Sequence, residues 1–111
     1  MKYFLIIFFS TAHFSMAIAQ ESPALNWDNF TLERINLQLP LLIVRGSKGM
    51  LACGYIDAKT CNKTGEACAI VTGVSNHDDM LEAKVSSMSD AAAQLGVKIG
   101  MTGLDAINIM E

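Results

Sequence analysis

Pro40-Leu41-Leu42-Ile43-Val44-Arg45-Gly46-Ser47-Lys48-Gly49-Met50-Leu51-Ala52-Cys53-Gly54-Tyr55-Ile56 is two apolar runs around a polar, glycine-containing loop. Residues 41–44 and 50–56 are strand-sized, and residues 45–49 supply turn chemistry, so the stretch predicts a β-hairpin. Pro40 has no backbone N–H to give a ladder, which marks a strand end or a sheet edge. Upstream, residues 30–39 alternate, with Ile35, Leu37 and Leu39 on one side. That period predicts a strand whose Ile35/Leu37/Leu39 side is half buried.

Downstream the pattern shortens into alternating caps and apolar runs. Asp57 is placed to cap a helix over 58–63, which Gly65 breaks. Residues 67–74 form a third apolar run, interrupted near its end by Gly73. Ser75 and Asn76 are N-cap types, and Asp78 and Asp79 fall in the first turn, where the helix dipole favours negative charge. That helix is predicted to end near Ala83, with a short strand over 85–88. Ser89 then caps a helix over 90–95, with Gly96 at the left-handed closing position. Thr102 with Asp105 resembles a capping box and opens a last helix over 103–110, with Leu104, Ile107 and Met110 on one face. Hairpins first and helices later predict an α+β fold, with helices on one face of a small, mainly antiparallel sheet.

The first 19 residues read differently from the rest. Lys2 precedes an unbroken apolar run over 3–9, and Ala17-Ile18-Ala19 ends it with small residues before the polar Gln20-Glu21-Ser22. This is the pattern of a secretory signal peptide cut after Ala19, and it predicts an exported protein, periplasmic or secreted. The alternative is an uncleaved leader tethering the chain to the inner membrane. Ser10, Thr11, His13 and Ser15 make it a weak span. Residues 20–29 read as a linker and 30–111 as one domain. Lys+Arg is 8 against Asp+Glu 11, a net charge of −3. That excludes a nucleic-acid surface built from bulk positive charge. A domain of this size buries a modest core, and oligomerisation is a natural supplement.

The order of motifs from Pro40 onward resembles the YunC-like family. Lys48-Gly49-Met50-Leu51-Ala52-Cys53-Gly54-Tyr55-Ile56-Asp57 is similar to its glycine–cysteine–glycine strand, and Ala69-Ile70-Val71-Thr72-Gly73-Val74 to the strand that follows. Met80-Leu81-Glu82-Ala83-Lys84-Val85 matches its helix exit. The run from Ala92 to Ala106, with Leu95-Gly96-Val97-Lys98-Ile99-Gly100-Met101-Thr102-Gly103, matches its ending and is the most specific block. The resemblance implies a small two-layer α/β sandwich whose N-terminal strands form a homo-oligomer interface, a tetramer. It implies no reaction, ligand or cofactor. The leader, and a short segment between Pro40 and Lys48, depart from the family pattern.

Two places could carry chemistry. The first is Cys53, with Gly54 beside it and Asp57 beyond. Its bland reading is a small buried hydrophobe; its sharp one is a reactive thiol, for which Lys48 and Asp57 offer little activation. The second is Gly100-Met101-Thr102-Gly103, two glycines at a helix start that could hold a small anion or merely cap and pack. In an oxidising compartment Cys61 and Cys68 are a candidate disulfide. Cys53, Cys61, Cys68 and His77 form a Cys₃His set only in arithmetic, because zinc sites use tighter ligand pairs. No metal and no cofactor is expected, and His77-Asp78-Asp79 reads as a solvated helix start. Asn29-Phe30-Thr31 and Asn62-Lys63-Thr64 are glycosylation sequons in form only. A non-catalytic, oligomeric binding or structural module is therefore favoured over a small hydrolase or thiol enzyme using Cys53 or the Gly100–Gly103 turn.

Overall fold

The computed structural model describes residues 25–111; the leader lies outside them. Five strands form one sheet in chain order, β1-β2-β3-β4-β5. β1 (Thr31–Asn36) and β2 (Pro40–Arg45) pair antiparallel, from Thr31↔Arg45 to Asn36↔Pro40. The strand expected over 30–39 is therefore shorter, because the chain reverses at Leu37-Gln38-Leu39 in a three-residue hairpin loop. Pro40 opens β2, the strand position where a missing N–H costs least.

β3 (Met50–Ala52) pairs antiparallel with β2, and the expected hairpin closes through the Gly46 N–H donating to the Gly49 carbonyl at 2.8 Å. β3 then pairs parallel with β4 (Cys68–Ile70). A parallel pair needs a crossover, and α1 (Ala58–Thr64) provides it. The Asp57 side chain accepts from the Lys59 N–H, and Gly65 ends the helix at φ 80°, a left-handed conformation that glycine adopts without a Cβ clash. β5 (Ser87–Met88) adds antiparallel to β4. The remaining helices start where their caps predict: α2 (His77–Glu82) under Asn76, α3 (Asp90–Leu95) under Ser89 and α4 (Gly103–Ile109) under Thr102.

Alternation along the strands divides the apolar residues between two faces. Leu42, Val44, Leu51, Ala69 and Val71 join Met80 of α2 and Ala106 and Ile107 of α4 in the main core, closed by Met110. Each fully buried large side chain there contributes about 1.5–3 kcal/mol. Ala52, Cys68 and Ile70 instead meet Cys61 and Ala58 of α1 in a second, smaller cluster. The α+β architecture and the mainly antiparallel sheet are as expected. The detail that differs is α1: as a crossover helix it covers the other face, so the helices do not all share one.

Two further readings are corrected. From Leu25 the chain is already packed: Leu25, the half-buried Trp27 in a 3₁₀ turn and Phe30 lie against the main core, so the domain begins inside the expected linker. Ile35, Leu37 and Leu39 do not form the buried side of a strand: they are 53%, 50% and 69% exposed, and the last two lie in the hairpin loop. β1 is an edge strand, and α1 reaches only the β3–β4 end of its face. No helix among the described residues is long and apolar enough to cross a membrane.

Candidate functional site

The two candidate places are separate in the fold. Gly100–Gly103 is a connection between α3 and α4 whose polar groups are engaged within the protein. The Gly100 N–H donates to the Val85 carbonyl at 2.9 Å, Met101 to Lys98 at 3.3 Å and Gly103 to Ala83 at 2.8 Å. The Thr102 hydroxyl accepts from the Asp105 N–H at 3.1 Å. Gly103 is buried, and a Cβ there would overlap the Met80 carbonyl. Glycine is thus needed for α4 to approach α2. The geometry is that of a cap and a close helix contact, with few donors left for an anion.

Cys53 and Gly54 lie elsewhere, in a cleft of about 570 Å³. Cys53, Gly54 and Tyr55 reach it just past the end of β3, and Thr72, Gly73, Val74 and Ser75 just past the end of β4. Leu39 and Pro40 from the β1–β2 turn complete the wall. The cleft therefore sits at the carboxyl ends of the parallel β3–β4 pair, the place where open α/β sheets bind ligands. Its volume falls in the range of about 300–1,000 Å³ for small-molecule sites.

Cys53 is 4% exposed, and its Sγ accepts the Leu42 N–H at 3.3 Å. Among the described residues no His, Lys, Arg, Asp or Glu lines the cleft, so none of them serves in its wall as a base for the thiol. Asp57 does not reach it; its carboxylate is spent on the α1 cap, accepting from Lys59 N–H at 2.9 Å. The main-chain N–H groups of Gly54, Tyr55, Thr72, Gly73 and Val74 donate to no protein group among the described residues.

His77 is not a solvated helix residue. Its Nε2 lies 2.9 Å from the Glu33 carbonyl, and its ring meets Trp27 edge-on at 6.5 Å. It fastens the start of α2 to β1. Cys61 and Cys68 are joined as a disulfide with Cα atoms 6.3 Å apart, on the α1 side of the sheet, while Cys53 belongs to the opposite core. Among the described residues no three His, Cys, Asp or Glu side chains gather as a metal set.

Residues 52–110, from the end of β3 through α4, match the family described as Domain of unknown function (DUF1805). The chain belongs to the DUF1805 family. It is 31% identical over 80 residues to the uncharacterized protein YunC of Bacillus subtilis, covering 66% of this chain and 79% of that one. It is also similar to the crystal structure of TA1206, a protein of unknown function from Thermoplasma acidophilum. There the TM-score is 0.65 at 32% identity, over 74% of this chain and 93% of the other. The DUF1805 match contains the β3 and β4 walls of the cleft and the Gly100–Gly103 turn. It leaves out the β1–β2 hairpin, and with it Leu39 and Pro40.

Thr72 to Ser75 and Tyr55 were not among the site residues read from sequence. The signal for them is the pair of apolar runs flanking a short capped helix. If those runs pair in parallel, the residues following each are brought to the same end of the sheet.

Proposed function

We propose that this DUF1805 chain is an exported, non-catalytic module that self-associates through the β1–β2 hairpin. The observation that carries the reading is the uncovered apolar surface there: Ile35, Leu37 and Leu39 are each at least half exposed. In the β1–β2 register Ile35 stands opposite Leu41, and Ile43, further along β2, is only partly buried against the second cluster. Together they extend the apolar surface across both strands. An edge strand with free main-chain groups and an apolar face is a ready template for another chain. The Glu33–Arg45 ion pair at 2.8 Å lies on the same strands and would limit which registers a partner can adopt. The family resemblance supplies four as the number of subunits. Export rests on the leader of residues 1–19. The thiol-enzyme reading lacks support, because the cleft wall offers Cys53 no general base.

Light scattering of the purified protein at micromolar concentration tests this. Self-association predicts a mass of several chains, and Ile35→Glu, which puts a charge in the centre of that surface, should reduce it to one. A wild-type chain that is monomeric under these conditions would refute the proposal.

A further inference from the structure

We propose that the cleft at the carboxyl ends of β3 and β4 is filled by the β1–β2 hairpin loop of a second copy of this chain. The cleft is open: of the residues that line it, only Cys53 is buried. Small-molecule sites enclose most of their ligand, whereas an exposed wall leaves room for a protruding loop. Gly54, Tyr55, Thr72, Gly73 and Val74 leave both the main-chain N–H and the carbonyl without a protein partner among the described residues. Water meets those groups in the separate chain. A peptide segment brings donors and acceptors alike, so it can replace that water on both counts, with neighbouring pockets taking its side chains.

The chain carries a segment of matching character at the same end of the sheet. The loop Leu37-Gln38-Leu39 contains no charged residue, and no charged side chain lines the cleft among the described residues. The loop's main chain is also unpaired within the described residues. Leu37 and Leu39 are exposed, as is Tyr55 of the cleft wall, at 47%. Leu39 and Pro40 themselves line the cleft, so the protruding loop and the recess adjoin. A two-fold axis between them brings the loop of each copy to the cleft of the other, a self-complementary contact that closes on itself. The absent Cβ at Gly54 leaves space for the incoming Leu37: a Cβ there would meet only Thr72 Cγ2, at 3.4 Å. This contact rests on the self-association proposed above and names the surface that the partner copy enters.

A mixture of isotope-labelled and unlabelled copies of the unmodified chain tests the contact directly, at a concentration where light scattering reports the oligomer. Isotope-filtered NOE spectra should show cross-peaks from the Leu37 methyls of one copy to the Thr72 and Val74 methyls of another. Two variants read the same contact from either side. Leu37→Asp charges the loop, and Gly54→Leu fills the recess beside Thr72. Each should weaken association roughly tenfold or more, with the circular dichroism melt retained. An unmodified chain that is monomeric at micromolar concentration would overturn this contact together with the self-association reading. An oligomer that Ile35→Glu dissociates, but that gives no Leu37 cross-peak to Thr72 or Val74 between copies, would overturn the contact alone. So would an oligomer that both Leu37→Asp and Gly54→Leu leave at its original strength. The NOE measurement needs no variant, so it decides the matter even where a substitution prevents folding.

Discussion

Ser89 is a single buried hydroxyl that holds three segments, and its removal should cost more than a helix cap. The residue is 1% exposed. Its Oγ accepts from the Cys68 N–H at 2.9 Å, donates to the Glu66 carbonyl at 2.7 Å and accepts from the Ala92 N–H at 3.4 Å. That uses the one donor and both acceptor sites a serine hydroxyl has. In Ser89→Ala the Glu66 carbonyl, on an exposed residue, can turn to water. The Cys68 N–H cannot, because Cys68 is fully buried in β4. An orphaned buried donor costs about 1–3 kcal/mol. The lost cap adds the lower part of its usual range of about 0.5–2 kcal/mol, since the Ala92 bond is long. The sum is roughly 2–3 kcal/mol, or about 10–20 °C in Tm for a domain of this size. The comparison is Asn76→Ala, which removes one cap bond, to the Asp79 N–H at 2.8 Å, at an exposed helix start. Water can replace that bond, so about 1 kcal/mol is expected. Thermal and urea unfolding followed by circular dichroism give both values. If Ser89→Ala costs no more than Asn76→Ala, the buried Cys68 donor is not the source of the stability assigned to Ser89.

Replacing Cys61 and Cys68 together with Ala should lower unfolding stability by about 2.5 kcal/mol, the loop-closure value for the short loop they span; unfolding with and without a reductant checks it independently. Gly103→Ala should destabilise by about 1–3 kcal/mol or more, because the added methyl meets the Met80 main chain and α4 must move away from α2; the urea midpoint reads this. Protein recovered from a secreting bacterial host should begin at Gln20 by N-terminal sequencing, whereas a chain beginning at Met1 would assign the leader to a tether.

Helix positions were legible because their signals are local. Asp57 with Gly65, Asn76, Ser89 with Gly96, and Thr102 each bond within a few residues of themselves, so the order of residues suffices to place them. The β1–β2 reversal was not legible. Leu37-Gln38-Leu39 contains no Gly, Pro, Asn or Asp to announce a turn, and its apolar alternation continues the strand pattern through the loop. The lengths of β3 and β4 were overestimated for a related reason. Residues 50–56 and 67–74 are apolar beyond the strand ends, and the ladder stops where neighbours stop, which only the assembled sheet decides. His77 was misread because its partner, the Glu33 carbonyl, comes from a strand far away in the chain.

The candidate cleft depends on one such non-local decision, the direction in which residues 50–56 and 67–74 pair. Antiparallel pairing would send Cys53–Tyr55 and Thr72–Ser75 to opposite ends of the sheet, and no cleft would form between them. Parallel pairing needs about a dozen residues or more of crossover, and residues 53–67 provide them. α1 also has to lie over the strand that follows it. The Cys61–Cys68 link ties the middle of the helix to the first residue of β4, and the Asn62 side chain, accepting from the Asp90 N–H at 2.7 Å, ties it to α3. These contacts hold α1 on the face opposite the main core and so keep β3 and β4 parallel. The disulfide thus bears on the cleft from a distance, without lining it. Cys53, the one free thiol among the described residues, belongs to the main core on the other side of the sheet from the disulfide and lines the cleft.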